Sequence, residues 1–266
     1  MWTSCRTTAI LETRSAYQSI FVGERHGVRF LRFGGARASW QGACVIARPE
    51  RLYFPYQQAF SLYTAWRPQV RRFLSLGVGT ATAISHVYRR HPTAEIVGID
   101  IDGMVIDAAR RFFHVPDDPR VRLLQADARL YVPRMGDKFD LVFLDAFFRE
   151  ETPQTMLSPV FLSALADRLE PGGILIANVI MPTAGRRSRR FFDLCRHMKL
   201  LVGPVWALPL GLVPLLENNV IVIAQRAPSG LPALDAIRGK ARQEIRAHPA
   251  VYAPFGRFLP GRIQRV

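Results

Sequence analysis

The sequence predicts an α/β protein whose doubly wound sheet is mostly parallel, and two observations support this. Short apolar runs alternate with amphipathic segments from residue 72 to residue 200, which is the pattern of successive βαβ units. The apolar run 73–76 leads directly into the glycine turn Gly77-Val78-Gly79 and then into a predicted helix. Crossovers in such sheets are right-handed, so the expected fold is Rossmann-like.

The elements of this predicted domain follow one another regularly. Its strands and helices are expected at these residues: strands at 72–77, 96–101, 121–124, 139–144 and 173–179, and helices at 82–90, 105–113, 159–169 and 187–200. Two further strands, 205–209 and 219–224, would close the sheet as an antiparallel pair.

Smaller elements flank this domain. Residues 17–40 alternate apolar and polar side chains, with turn signals at His26-Gly27 and Gly34-Gly35, which predicts a small antiparallel β element. A helix over residues 53–69 would link it to the first parallel strand. The chain therefore divides into three predicted parts: the N-terminal β element with its linking helix (1–66), the Rossmann-like domain (67–226), and a basic C-terminal extension with one helix at 234–246 (227–266).

The chain is strongly basic, with a formal net charge of +15 that comes mostly from arginine. Such a surplus attracts anionic partners such as nucleic acid, acidic lipid or an acidic substrate. No basic motif interleaved with aromatic residues supports a nucleic-acid module. The arginine-rich segment 186–190 follows the fifth strand at a predicted helix start, where positive charge is unfavourable. It could recognise an anionic acceptor or phosphate, or it could be a solvated loop.

Other features exclude further classes of protein. Cys5, Cys44 and Cys195 lie far apart and form no CxxC pair, so neither a disulfide framework nor a metal site is expected. The apolar run 200–216 is interrupted by prolines, and we interpret it as sheet and loop, not as a membrane span. Because no secretory signal is evident, the expected location is the cytoplasm.

Carboxylates follow the strands at the edge where ligands bind. Asp100 ends the second strand, Asp127 follows the third, and Asp145 follows the fourth. The carboxyl ends of parallel strands meet at one crevice, so these side chains should lie close together. Gly77 and Gly79 let the backbone approach a ligand closely. This pattern predicts a nucleoside site with Asp100 on the ribose, although each acid alone could instead cap a helix.

A dinucleotide-dependent dehydrogenase is the main competing interpretation of this glycine turn. Its fingerprint requires a third small residue shortly after the second glycine, which Thr82 or Ala83 only imitates. An N-terminal β element before the first Rossmann strand does not suit that class either. A nucleoside site of another class is therefore the preferred interpretation.

A series of short motifs follows in a fixed order along the chain. They are Ser15-Ala16-Tyr17-Gln18, Gly77-Val78-Gly79, Gly98-Ile99-Asp100-Ile101-Asp102, Asp118-Pro119-Arg120-Val121, Gln125-Ala126-Asp127-Ala128, Phe139-Asp140-Leu141-Val142, Asp145-Ala146-Phe147 and Leu169-Glu170-Pro171-Gly172-Gly173. Together these motifs resemble the spermidine synthase (polyamine aminopropyltransferase) family, within the S-adenosylmethionine-dependent methyltransferase fold. The resemblance extends from about residue 12 to residue 224.

The resemblance implies roles for individual residues. Gln18 would help to hold the nucleoside, Asp100 the ribose, and Asp127, beside Ala128, the adenine amino group. Asp145 would accept the proton that the attacking amine loses. The donor would be S-adenosylmethionine or its decarboxylated form, without a metal, and related synthases form homodimers.

The chain departs from the family pattern around the substrates. Thr80 stands in the glycine turn where an acid is usual, and Phe148 stands where a second acid is usual. Gln57 replaces a histidine after Tyr56. We therefore expect Thr80 to contact the donor, and we expect the acceptor to contact Tyr56, Gln57 and Phe148. Loss of the acids removes charge complementarity to a diamine, which counts against putrescine as the acceptor.

Three functions stay open at this point. The first is aminopropyl transfer from a decarboxylated S-adenosylmethionine-type donor to an amine. The second is methyl transfer from S-adenosylmethionine to an anionic substrate, because Thr80 would tolerate the methionine carboxylate that an acid would repel. The third is a nucleoside-binding interaction protein without turnover.

Overall fold

The protein folds into a four-stranded antiparallel sheet and an eight-stranded, mostly parallel sheet with helices on both faces. A computed structural model describes residues 7–35, 38–146, 154–226, 230, 232–252 and 254–266. The predicted α/β class, with a small antiparallel element before the main sheet, is confirmed.

The N-terminal sheet has the strand order β1-β2-β3-β4. Its strands are β1 (Thr8–Arg14), β2 (Ser19–Arg25), β3 (Val28–Phe33) and β4 (Trp40–Val45). The predicted turn at His26-Gly27 joins β2 to β3, and Gly27 has a positive φ of 74°. Strand β1 was not predicted, because its exposed and half-buried side chains show little apolar alternation.

Helix α1 (Pro55–Ser61) connects the two sheets and is shorter than the predicted helix over 53–69. It begins with Pro55 in the first turn, where proline is well tolerated. A 3₁₀ turn, Leu62–Ala65, continues it with almost fully buried side chains. The apolar periodicity therefore marked a buried segment correctly but overestimated the α-helical length.

The main sheet has the order β12-β10-β11-β9-β8-β5-β6-β7. Its strands are β5 (Arg72–Leu76), β6 (Glu95–Asp100), β7 (Val121–Gln125), β8 (Phe139–Leu144), β9 (Leu169–Met181), β10 (Val205–Pro209), β11 (Asn218–Gln225) and β12 (Gln264–Arg265). Strands β5 to β9 pair in parallel, and β11 pairs antiparallel with both β9 and β10. The predicted closing pair is therefore confirmed.

Helices cover both faces of this sheet. They are α2 (Thr82–Arg90), α3 (Gly103–Phe112), α4 (Ala128–Tyr131), α5 (Pro159–Asp167), α6 (Arg189–Leu201), α7 (Leu234–Ala247) and α8 (Leu259–Arg262). Successive residues of the central strands point to opposite faces, so Phe73 and Leu74 of β5 enter two different apolar clusters. Burial on both faces explains why these strands read as continuous apolar runs.

The C-terminal segment is packed into the body of the protein. Ile237, Leu259 and Ile263 are fully buried in the cluster that also covers one face of the main sheet. Strand β12 pairs with β10 at the edge of that sheet. The basic extension predicted at 227–266 therefore contributes to the hydrophobic core.

The small sheet is attached to the main domain by polar and close backbone contacts. Ser15 Oγ donates to Asp102 Oδ2 at 2.6 Å, and Asp102 also caps α3 by accepting from the Met104 amide. A methyl group at Gly42 of β4 would overlap the Thr80 side chain. These contacts place the small sheet over the glycine turn.

Candidate active site

A cavity with a volume of about 320 Å³ lies at the carboxyl edge of the parallel strands, beside the small sheet. This size lies at the small end of the range of ligand sites, about 300–1,000 Å³. Its lining includes these predicted residues: Gln18, Tyr56, Gln57, Gly77, Gly79, Thr80, Asp100, Asp127, Ala128 and Asp145. Phe148 lies outside the described residues. The predicted site residues that are described therefore meet at one cavity.

The glycine turn requires its first glycine. Gly77 has φ of 93°, and a methyl group there would overlap the Asp145 carbonyl oxygen. The Asp145 amide in turn donates to the Leu76 carbonyl at 2.9 Å. Gly79 also has a positive φ, 50°, and open space where a side chain would stand. The turn is thus built directly against the backbone of Asp145.

Asp100 holds the glycine turn by hydrogen bonds to the backbone. Its Oδ2 accepts from the Val78 amide at 2.9 Å, and its Oδ1 accepts from the Asp102 amide at 3.0 Å. Burial raises the pKa of this carboxyl, and the amide donors oppose that shift. A carboxylate has further lone pairs for two hydroxyl donors, so Asp100 can shape the turn and also accept from a ribose.

Asp127 combines helix capping with an ion pair. It caps α4 by accepting from the Arg129 amide at 2.9 Å, as the alternative interpretation of this acid allowed. The Arg129 guanidinium also lies 2.6 Å from Asp127 Oδ2. The side-chain hydrogen bond from Arg129 holds the pKa of Asp127 below its ordinary value. Asp127 therefore stays ionised at the cavity wall.

Asp145 has the opposite environment. Burial raises the pKa of its carboxyl to about 6, and a hydrogen bond from Asn178 Nδ2, 2.8 Å from Oδ1, opposes the shift only in part. Asn178 Oδ1 accepts from Asn219 Nδ2 at 3.0 Å, so a chain of two amides orients the carboxyl. A carboxylate with a pKa near 6 is ionised at neutral pH and is well matched to accept a proton.

Tyr56 and Gln57 lie on α1 at the same cavity. Tyr56 donates its hydroxyl proton to the Gln41 carbonyl at 3.1 Å. Burial and the nearby Asp145 charge raise the pKa of Tyr56 well above its ordinary value, so it stays neutral. Gln57 Oε1 accepts from the Phe54 amide at 3.0 Å, and its buried Nε2 has no hydrogen-bond partner among the described residues. A bound ligand could satisfy that donor.

Gln18 and Thr80 approach the cavity from different elements. Gln18 precedes β2 and its half-buried side chain lines the cavity. Thr80 is only 5% exposed, packs against Gly42, and has its hydroxyl 2.9 Å from that of Thr82. Position 80 therefore carries a hydroxyl group, paired with that of Thr82, where the family usually has an acidic residue.

Three residues that complete the site had no role in the sequence-based prediction. Asn178 and Asn219 orient Asp145, and Arg129 pairs with Asp127. The pairing of β11 with β9 brings the two asparagines together, and only the strand register could have shown this. The arginine-rich segment 186–190 does not line the cavity.

Two kinds of feature are not found in the parts of the chain that the structure describes. No group of three or more His, Cys, Asp or Glu side chains is placed to hold a metal ion. No described helix is both long enough and apolar enough to cross a membrane.

The comparisons with known proteins agree with this geometry. The model of the spermine/spermidine synthase domain matches residues 60–227, well over half of the chain. The chain belongs to the spermine/spermidine synthase family. The matched segment contains the glycine turn and all three acids of the cavity, whereas Gln18 and Tyr56 precede it.

Individual relatives support the same family. The chain is 30% identical to a polyamine aminopropyltransferase of Vibrio vulnificus over 65% of its own length and 60% of that relative. It is 24% identical to the Chromobacterium violaceum enzyme of the same name over 85% and 83% of the two chains. A probable spermidine synthase from Corynebacterium glutamicum has a similar fold, with a TM-score of 0.73, 19% identity and 87% and 86% coverage.

Proposed function

We propose that the protein transfers an aminopropyl group from decarboxylated S-adenosylmethionine to an amine. The observation that carries the proposal is Asp145, a carboxyl of raised pKa that accepts a hydrogen bond from Asn178 at a cavity lined by the glycine turn. Family membership supports the same reaction class. A cytoplasmic location and a homodimer remain expectations from the sequence and from the family resemblance.

The donor's adenosyl part would lie against the glycine turn. Asp100 would accept from the ribose hydroxyls, and Asp127 would accept from the adenine amino group in addition to its bonds from Arg129. Gln18 would approach the nucleoside from the small sheet. These three side chains fit a neutral nucleoside, because their carboxylate and amide oxygens can accept hydrogen bonds from its hydroxyl and amino groups.

The chemical step would be a single displacement. The lone pair of the acceptor nitrogen forms a bond to the propyl carbon attached to the sulfonium. The carbon–sulfur bond breaks, and its electron pair goes to sulfur, which leaves as the neutral thioether methylthioadenosine. Asp145 takes the proton that the nitrogen loses. Holding the two reactants in line and placing the base beside them supply separate parts of the rate acceleration.

Thr80 supports methyl transfer as a second candidate. A carboxylate at this position would pair with the amine of the decarboxylated donor and would repel the carboxylate of intact S-adenosylmethionine. The buried Thr80 hydroxyl, next to that of Thr82, does neither. Tighter binding of intact S-adenosylmethionine than of its decarboxylated form would favour methyl transfer.

Calorimetric titration with S-adenosylmethionine, its decarboxylated form and methylthioadenosine would test the donor site. We expect the decarboxylated donor and methylthioadenosine to bind, and binding of none of the three would contradict the proposal. Mass spectrometry of amine mixtures incubated with each donor would show an added aminopropyl or an added methyl mass. Asp167→Asn, an exposed acid that ends α5 at the opposite edge of the sheet, is the matched control for Asp145→Asn.

A further inference from the structure

The loop between β10 and β11 exposes a continuous run of apolar side chains, Leu212-Val213-Pro214-Leu215-Leu216. Leu212 is 85% exposed and Leu216 is 60% exposed. Single apolar residues on a surface are ordinary, but an exposed run of this length is unusual unless it contacts something.

The loop is held in place at its base. The amides of Thr183 and Ala184 donate to the Pro214 carbonyl at 2.8 and 3.1 Å. Leu215 lies against Gly185, and Glu217 pairs with Arg187 at 3.0 Å. Hydrogen bonds, packing and an ion pair at the base of the loop therefore hold the backbone of its apolar tip in place.

Exposed arginines flank the loop. Arg186, Arg189 and Arg190 are exposed beside Arg187, on the 3₁₀ turn and first turn of α6 that follow the residues anchoring Pro214. No ion pair joins Arg186 or Arg190 to a described residue. Positive charge at a helix N-terminus is unfavourable for the fold itself. An anionic surface facing these guanidinium groups would offset that cost.

The loop and the arginines lie at the same edge of the sheet as the active-site cavity. Strand β11 is antiparallel to β9 and to β10, so β10 runs in the direction of the parallel strands. The loop begins just beyond the carboxyl end of β10, which ends at Pro209. A body that contacts this surface would therefore approach from the side on which ligands enter.

We propose that loop 211–217, together with the arginines of segment 186–190, is a docking surface for an anionic lipid bilayer. Apolar side chains at the tip would enter the headgroup boundary while the guanidinium groups contact lipid phosphates, the two contributions that bind peripheral proteins to membranes. A two-fold contact between two copies would bring the exposed arginines of both chains together, and their repulsion favours an anionic lipid surface over a second copy. The inference does not depend on the reaction proposed above.

Sedimentation of the full chain with vesicles tests this proposal. We expect binding to phosphatidylcholine vesicles that contain phosphatidylglycerol, weak binding to pure phosphatidylcholine, and weaker binding as salt is raised. Equal binding to both vesicle types would overturn the role of the arginines. Absence of binding to the anionic vesicles would overturn the whole proposal.

Variants separate the two contributions. Leu212→Ser with Leu216→Ser should reduce anionic-vesicle binding at least about ten-fold, whereas Leu200→Ser should not. Leu200 is also exposed but lies at the far end of α6. Arg186→Gln with Arg190→Gln should weaken binding about ten-fold or more, because each surface arginine contributes roughly five-fold. Arg242→Gln with Arg246→Gln, exposed on α7, removes the same charge and should have a clearly smaller effect.

A second copy of the chain is the competing occupant of this surface. Light scattering of the wild-type and of the Leu212→Ser, Leu216→Ser protein would reveal it. We expect the same molecular mass for both. A dimer that the leucine substitutions dissociate, in a protein that does not bind anionic vesicles, would assign the surface to self-association and contradict the proposal.

Discussion

Asp145 follows β8 and Asp127 follows β7, two strands that β5 and β6 separate in the sheet, and both acids line the same cavity, yet their environments are opposite. Asp127 receives a guanidinium and a backbone amide, and its pKa falls below the ordinary value. Asp145 receives one neutral amide at a buried position, and its pKa rises to about 6. Under the proposed function, one residue type would thus provide an ionised hydrogen-bond acceptor at one end of the cavity and a proton acceptor at the other.

This contrast teaches that the partner of each acid, and not the acid itself, sets its chemistry. A full positive charge beside a carboxylate stabilises the ionised form more strongly than an amide hydrogen bond does. Replacing Arg129 by an amide, or Asn178 by a guanidinium, would reduce the difference between the two ends. Substituting either acid, or the amide that orients Asp145, tests one half of this contrast.

The largest expected effect comes from Asp145→Asn. The amide keeps the size of the side chain but cannot take a proton, so kcat should fall by roughly 10²- to 10⁴-fold. Donor affinity measured by calorimetry should stay within a few-fold of the wild-type value. Turnover at the wild-type rate would show that the proton goes elsewhere, and Asp167→Asn should be unaffected.

Asp127→Asn should change binding and leave the chemical step nearly intact. Losing a charged hydrogen-bond acceptor for the adenine amino group should raise the donor KM about ten-fold or more. Acceptor KM and kcat should change much less. An unchanged donor KM would limit Asp127 to capping α4 and pairing with Arg129, and thermal unfolding of the variant would then report that structural role.

Asn178→Ala tests the amide that orients Asp145. Because this hydrogen bond lowers the pKa of Asp145, its removal should move the acidic limb of the kcat/KM profile to higher pH, by roughly one unit. The rate should fall about two-fold at pH 7 and about five-fold at pH 6, and should recover in alkaline buffer. A uniform loss at every pH would instead indicate displacement of the carboxyl. Asn219→Ala should give a smaller shift in the same direction.

His86→Asn extends the comparison to a group that burial affects in the opposite sense. Burial lowers the pKa of His86 to about 3, so between that value and about 6.5 the unfolded chain binds the proton and the folded chain does not. Stability therefore falls as the pH falls through this range. When the pH is lowered from about 7.5 to about 5.5, protonation of this histidine in the unfolded chain should reduce the free energy of unfolding by about 1.4 kcal/mol.

Urea unfolding of both proteins at the two pH values checks this prediction. The free-energy difference between wild-type and variant should change by that amount, since the other titrating groups are shared. A difference that does not vary with pH would mean that His86 becomes protonated in the folded state.

The sequence predicted the backbone of the site better than its side-chain pairing. Apolar runs and a glycine turn report local structure, and the carboxyl ends of parallel strands share an edge, so the convergence of Asp100, Asp127 and Asp145 was predictable. The register of β11 on β9, which joins Asn219 to Asn178, depends on contacts far apart in the chain. No local pattern encodes it.

The C-terminal helix predicted at 234–246 is found at Leu234–Ala247, but strand β1 and the burial of the C-terminal segment were missed for similar reasons. Strand β1 is formed by exposed and half-buried residues and is stabilised by its pairing with β2, so it lacks an apolar signal of its own. The C-terminal segment is rich in charge, yet Ile237 and Ile263 enter the core. In both cases long-range packing determined the structure, and local composition did not indicate it.

The most direct test of the contrast is the titration of the two carboxyl groups in the wild-type protein. Carbon-13 NMR of protein labelled at aspartate carboxyls, with signals assigned by the Asp145→Asn and Asp127→Asn variants, follows each group separately. We expect Asp145 to titrate near pH 6 and Asp127 below the ordinary aspartate value. An Asp145 signal that titrates at the ordinary value, or together with Asp127, would contradict its assignment as the proton acceptor.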